Sequence, residues 1–215
     1  LVTSGPGATN TITGIADAMM DSTPIVVIAG QVGASLLGSD AFQECDLVGV
    51  TQPISKWAYQ IRRPEDVAWA VSRAFYIAKS GRPGPVVLDF AKNAQVGLVD
   101  YEPQGTDFIR SYVPVPKTDP WAIRQAAALI HNAKRPFILV GQGVELGGAQ
   151  EEVRQVIERA DIPAGCTLLG LSALPSDQRL MMGRLGMRGS LAHCSPPPEC
   201  EGLLAGGLRF DARVA

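Results

Sequence analysis

Residues 64–90 read PEDVAWAVSRAFYIAKSGRPGPVVLDF, and this stretch decides the fold class. Pro64 suits the first turn of a helix, and Glu65 and Asp66 complement the positive end of its dipole. Val67, Ala70, Val71, Ala74, Phe75 and Ala78 recur at three- and four-residue spacing and make one apolar face. Gly81 stops the helix. Pro85-Val86-Val87-Leu88-Asp89-Phe90 follows as a continuous run, as expected of a strand buried on both faces. Upstream, Pro24–Ala29 is a second such run, and Lys56–Ile61 alternates as a strand. Strands alternating with helices predict an α/β fold with a parallel sheet and helical crossovers.

Outward from that core, Val2 and Thr3 read as the end of a strand and Ser4-Gly5-Pro6-Gly7 as a tight turn. Thr9 or Asn10 is expected to cap a helix that runs to Met20. A strand–turn–helix unit normally sits inside a domain, so the chain is expected to be an excerpt of a longer one. Phe42–Val50 is expected to form a short helix. From about Gln95 to Thr118 periodicity fails and Pro103, Pro114 and Pro116 intervene, which reads as a linker. Asp119 as N-cap and Pro120 at the first helical position then open a second unit, with a helix to about Asn132. Pro136–Val140 reads as a strand, Ala149–Ala160 as a helix, and Ile162–Thr167 and Leu203–Ala205 as strands. The expected domains are therefore 1–94, a linker at 95–118, and 119–215.

With 46% apolar and 19% charged residues the composition suits a globular core. A net charge of −2 argues against a generic nucleic-acid binder, and no apolar stretch is long enough to span a bilayer. The four cysteines form no CxxC pair and there are two histidines, so no zinc site is expected. Inert thiols suggest a reducing compartment, cytoplasm or an organelle. The sequence contains no Walker loop, no HExxH and no Ser/His/Asp set of recognisable spacing.

Four loops carry polar or glycine-rich clusters. Gly141-Gln142-Gly143, between a strand and a helix, suits either a pyrophosphate or a plain strand-to-helix turn. Ser39-Asp40-Ala41-Phe42-Gln43-Glu44 lies past the C-terminal end of an apolar strand and suits either a ligand site or an N-capped, solvated helix. Arg82, held between two helix breakers, suits an anion or the end of a helix. Gly186-Met187-Arg188-Gly189 and Leu208-Arg209-Phe210-Asp211-Ala212-Arg213 suit a phosphate or hydroxyl grip, or a surface ion-pair cluster.

TSGPGATN, PIVVIAGQV, GSDAFQE, SGRPGPVVLDFAK, LGMRG and RFDARV, in this order, resemble the catalytic subunits of the acetolactate synthase (acetohydroxyacid synthase) family. The likeness is nearly continuous from Leu1 to Ala94, thins through the linker, returns at Pro136–Gly143 and is patchy after Asp177. It implies the second half of a thiamine-diphosphate pyrimidine-binding domain followed by an incomplete, Rossmann-like, FAD-associated central domain, both three-layer α/β. It implies thiamine diphosphate, Mg2+ and FAD as cofactors, the first two relying on domains outside this chain. The implied reaction decarboxylates pyruvate, with the cofactor as electron sink, and condenses the hydroxyethyl unit with pyruvate or 2-oxobutyrate in valine, leucine and isoleucine biosynthesis. Carried over by position, Gln43 and Phe42 would face the reacting centre and Lys92 would line the substrate entrance. Arg82, Gly141, Gln142, Gly143, Gly186, Met187, Arg188, Gly189, Arg209, Asp211 and Arg213 would contact FAD. No residue here is expected to bind the metal. A homodimer or larger assembly and a small regulatory subunit are implied as partners, with no nucleic acid and no membrane.

The chain departs from the family pattern in four places. Gly33 stands where the family commonly has proline, Arg188 where it has histidine, and Ala212 where it has aspartate. His193-Cys194-Ser195-Pro196-Pro197-Pro198-Glu199-Cys200 falls where the family has a helix, and Gly206-Gly207 would weaken the following strand. Two other readings compete: another thiamine-diphosphate carboligase, such as a glyoxylate carboligase, and a truncated, non-catalytic flavin-binding fragment.

Overall fold

A computed structural model describes residues 1–187, 189 and 199–211. Arg188, Arg213, Ala212 and the proline run at 196–198 lie outside the described residues. The chain divides into two compact units, Leu1–Lys117 and Thr118–Ala215.

In the first unit α1 (Pro6–Thr9) and α2 (Ile12–Asp21) precede β1 (Val26–Gln31). Next come α3 (Leu47–Thr51), β2 (Trp57–Ile61), α4 (Val67–Lys79), β3 (Val86–Ala91) and α5 (Lys92–Val96). The sheet order is β1-β3-β2 with every pair parallel, Val2 adding a parallel bridge to Ala29. Alternation along β3 sends Val86 and Leu88 into one core with Ala70, Ala74 and Ile77 of α4. Val87 goes to the opposite core with Ile15 of α2 and Leu47 of α3. Both faces are thus covered, and each fully buried Val or Leu contributes about 1.5–3 kcal/mol.

Some expected elements shift. The helix begins at Pro6, so neither Thr9 nor Asn10 caps it; Thr11 stands before α2 in helical φ/ψ, and its hydroxyl donates to the Ala8 carbonyl at 2.6 Å. The expected helix 42–50 is confined to Leu47–Thr51, because Asp46 caps it by accepting from the Gly49 amide at 2.9 Å. Pro64–Asp66 forms a tighter 3-10 turn leading into α4. Residues 97–117 are irregular and belong to the first compact unit. Ile109 is buried in the α4 core, and the Tyr112 hydroxyl donates to the Ser80 carbonyl at 3.0 Å.

The second unit contains α6 (Pro120–Asn132), β4 (Pro136–Val140), α7 (Gln142–Leu146), α8 (Gln150–Ala160), β5 (Ala164–Cys166), β6 (Met181–Arg184) and β7 (Gly202–Gly206). Asp119 caps α6 as its sequence suggests, its carboxylate accepting from the Trp121 amide at 2.9 Å. The parallel order is β6-β5-β4-β7. Ile138 and Val140 face a core shared with Ile157 of α8, while Phe137 and Leu139 face Leu185. None of the described helices is long and apolar enough to cross a membrane.

Candidate active site

Parallel strands end together, and ligands of such sheets gather at their C-terminal edge. In the first unit that edge is formed by Gln31, Ile61 and Ala91 and the residues after them. Asn93 staples it: its side-chain oxygen accepts from the Ala34 amide at 2.9 Å and its amide donates to the Arg62 carbonyl at 2.7 Å. Lys92 starts α5 at this edge, exposed, with its backbone N–H on the Val32 carbonyl at 3.4 Å.

The loop after β1 brings Phe42 and Gln43 to the same edge. The Glu44 carboxylate clasps the loop by accepting from the Gly38 amide and, at 3.0 Å, from the Ala41 amide. These backbone donors, Gly38 first, hold the Glu44 pKa below the usual carboxylate value. Phe42 is 88% exposed, and Gln43 is exposed with φ of 62°. A non-glycine residue at positive φ is uncommon and costs on the order of 1 kcal/mol; Ser22 and Asp161 share it at helix ends, whereas Gln43 sits in a loop. The Ser4-Gly5-Pro6 turn packs directly on this residue. A Cβ on Gly5, itself at φ of 54°, would lie 2.8 Å from the Gln43 carbonyl oxygen and 2.9 Å from its Cα. The glycine is therefore required twice, by its own backbone and by its neighbour's.

Beneath the loop lies a buried polar network. Asp89, at the centre of β3 and fully buried, accepts through Oδ2 from Gln60 at 2.7 Å and Gln31 at 3.2 Å. Gln31 also donates to the Cys45 carbonyl at 2.7 Å, and Gln60 accepts from Arg62 Nε at 2.6 Å. Burial pushes the Asp89 pKa up, against the two glutamine bonds that lower it.

Arg82 lies elsewhere. It precedes β3, whereas Gln43 and Lys92 lie beyond the strand's other end. Its guanidinium closes the C-terminus of α2, donating to Ser22 Oγ at 2.9 Å and to the Met19 and Met20 carbonyls at 2.7 and 3.1 Å. Lys56 does the same for α4, donating to the Ser80 carbonyl at 2.6 Å and to that of Ile77. The structure thus sets Gly5 against Gln43, places Lys92 on the same sheet edge and sets Arg82 apart.

In the second unit the chain runs from β4 to β5 and β6 on one side and returns to β7 on the other. The switch point is therefore between β4 and β7, where crevices for ligands form. Gly141-Gln142-Gly143 follows β4, and Arg209 and Asp211 follow β7, 3.8 Å apart and about half exposed. The loop Gly186–Gly189 follows β6, with Gly186 at φ of 95° and Met187 exposed. All the described residues expected at FAD from this unit therefore share one sheet edge. The two turn glycines act differently from the expected cradle. Their N–H groups donate to Gly206 and Gly207 carbonyls at 2.8 and 2.7 Å, which leaves neither for a pyrophosphate. A Cβ on Gly141 or Gly143 would come within 2.4 or 2.7 Å of the Gly207 oxygen. β7 ends at Gly206 and pairs with β4 over five residues, and Gly207 just past it permits the close approach of Gly141 and Gly143. Among the described residues, no three or more His, Cys, Asp or Glu side chains are grouped to hold a metal ion.

Residues 1–50 match the family described as thiamine pyrophosphate enzyme, N-terminal TPP binding domain, and residues 123–215 that described as thiamine pyrophosphate enzyme, central domain. The chain is 41% identical over its whole length to acetolactate synthase isozyme 3 large subunit of Escherichia coli, covering 38% of that protein. The chain is homologous to acetolactate synthase large subunits. The probable acetolactate synthase large subunit of Methanocaldococcus jannaschii is 44% identical over 99% of the chain, and that of Corynebacterium glutamicum 42% over all of it. The chain spans 36% and 34% of those two proteins. The N-terminal match falls in the first parallel α/β unit and the central-domain match in the second.

The residues of three site features lie inside the quoted motifs, but their contacts do not follow from them. The Glu44 clasp leaves no periodic trace. The Gly5–Gln43 contact joins residues 38 positions apart. Asp89 left a signal in the sequence, a carboxylate inside the apolar run Val86–Phe90, but not its partners Gln31 and Gln60.

Proposed function

We propose that the protein carrying this segment is an acetolactate synthase. Pyruvate loses CO2, and the remaining two-carbon unit adds to the carbonyl of pyruvate or 2-oxobutyrate. Thiamine diphosphate, when bound, supplies the electron sink for the decarboxylation. The observation that carries the proposal is the 41–44% identity to acetolactate synthase large subunits over essentially the whole chain, and the Gln43 turn packed on Gly5 at the C-terminal sheet edge is where its candidate residues fall. That packing sets the Gly5 backbone directly against the Gln43 backbone.

Gln43 donates hydrogen bonds to oxygen atoms of the reacting 2-oxo acid, Phe42 gives it an apolar wall, and Lys92 attracts the substrate carboxylate. Arg209, Asp211, Gln142 and the turn glycines at the β4/β7 switch point, with the Gly186 loop after β6 on the same sheet edge, are the residues that would hold FAD. The two glycine N–H groups take no part, since the chain already uses them. Arg82 closes the α2 terminus of the first unit and is left out of this flavin site. Mg2+ takes its ligands from outside the described residues. The working assembly is a homodimer or larger, with a small regulatory subunit, in the cytoplasm or an organelle.

Incubating the intact protein with pyruvate, thiamine diphosphate and Mg2+ tests this. Acetolactate is the expected product; turnover of glyoxylate but not pyruvate would replace it with a glyoxylate carboligase.

A further inference from the structure

Asp89 is fully buried in the central strand of the first unit, where its neighbours on the same strand are Val86, Val87 and Leu88. Removing a carboxyl from water is costly unless hydrogen bonds replace the lost ones, and each polar group left unpaired adds to that cost. Here Oδ2 accepts two glutamine amides while Oδ1 has no partner among the described residues. A half-satisfied carboxyl lowers stability relative to an apolar residue, so stability is not what Asp89 supplies.

It supplies orientation. One Gln31 N–H points to Asp89 Oδ2 at 3.2 Å and the other to the Cys45 carbonyl at 2.7 Å. The Gln31 oxygen accepts from the Val32 amide at 2.9 Å. Every hydrogen-bonding atom of this amide has an assigned role, and a flipped amide would set its oxygen against two other oxygens. Gln31 is itself buried, at 5% exposure, so water does not compete for these bonds. Cys45 stands two residues after Gln43, in the loop that holds Gln43 at φ of 62°. The chain of bonds therefore runs from the rigid centre of the sheet to the strained turn at its edge.

We propose that Asp89 is a positioning residue: through Gln31 it fixes the Cys45 carbonyl and with it the turn that presents Gln43. The proposal rests on the reading of Gln43 as facing the reacting centre.

The test uses the intact protein and the variants Asp89→Asn, Asp89→Leu and Gln31→Met, read by amide hydrogen exchange over residues 41–46 and by acetolactate formation. Asp89→Leu and Gln31→Met should speed exchange of that segment at least tenfold. They should lower kcat by about 10- to 100-fold with the pyruvate KM within about threefold of wild type. Asp89→Asn keeps an acceptor for both glutamines and should restore both readings to near wild type. The double variant Asp89→Leu/Gln31→Met should be no worse than Gln31→Met alone. Unchanged exchange in a folded Gln31→Met variant would overturn the proposal, as would an Asp89→Asn variant as impaired as Asp89→Leu. Should Asp89→Leu fail to fold, Gln31→Met, of similar shape, decides the matter. A wild-type protein that makes no acetolactate would remove the functional reading, while the exchange data would still decide for or against the positioning role.

Discussion

Replacing Gly5 by alanine should cost more than any other single methyl group added near the site. Gly5 has φ of 54° and ψ of −113°, outside the regions open to residues with a Cβ, a penalty of about 1–2 kcal/mol by comparison with left-handed backbone. The added methyl would also sit 2.8 Å from the Gln43 oxygen and 2.9 Å from its Cα and Cβ. Overpacking of that kind costs about 1–3 kcal/mol. The neighbour cannot yield cheaply, because Gln43 is already at φ of 62° and its loop is held by Glu44 and by the Gln31–Cys45 bond. The sum is about 2–5 kcal/mol, against a domain stability of about 5–15 kcal/mol. Guanidinium unfolding of the intact protein measures it, with pyruvate turnover alongside, since a loop that moves away relieves the clash by displacing Gln43. Gly14→Ala is the control. Gly14 is exposed inside α2, a Cβ there meets nothing within 4 Å, and alanine should gain about 0.5–1 kcal/mol. A Gly5→Ala protein within about 0.5 kcal/mol of wild type and fully active would refute the reasoning.

Gly207→Ala should cost about 2–5 kcal/mol by the same two contributions, its φ of 63° and a Cβ placed 2.4 Å from the Val144 amide. Gly183→Ala, at φ of 88° in open space, should cost only the backbone share of about 1–2 kcal/mol, so equal midpoints would contradict the close-packing account. Arg82→Leu removes three bonds at the end of α2 and should lower stability by about 1 kcal/mol in the same assay; a change near zero would show that water replaces the cap. Burial raises the folded pKa of Asp89, so the native protein holds this proton more tightly than the unfolded chain. Its contribution to stability is greatest below the unfolded value of about 3.9 and declines as pH rises through the folded pKa. Asp89→Asn should remove that decline, and identical stability-versus-pH slopes in the two proteins would exclude it.

The strands were legible because burial on two faces writes them as apolar runs: Pro24–Ala29, Pro85–Phe90 and Pro136–Val140 each contain one. Helix α4 declared itself by three-to-four apolar spacing after Pro64, and α6 by Asp119 as cap and Pro120 at its first position. What escaped did so for physical reasons. Met181–Arg184 carries a glycine and an arginine and is half-buried throughout, so neither alternation nor an apolar run marks it as β6. Gln142–Leu146 is too short for periodicity, and its glycines read as a ligand loop although their N–H groups serve β7. For Arg82 a plain helix-end role was weighed beside an anion contact, and the end it closes proves to be that of α2, 60 positions away from it at Ser22. At the site, Phe42, Gln43 and Lys92 came from resemblance alone; their shared edge follows from parallel topology, but the positive φ of Gln43 and its contact with Gly5 depend on long-range packing.

Comparing the single-turnover rate of acetolactate formation by the intact protein with that of its Gln43→Ala variant tests the central claim most directly. Removing a donor from the reacting centre should lower the rate by about 10²–10³-fold while thiamine diphosphate binds with unchanged affinity. Equal rates in the two proteins would contradict the account and move the reacting centre away from the Gly5–Gln43 contact.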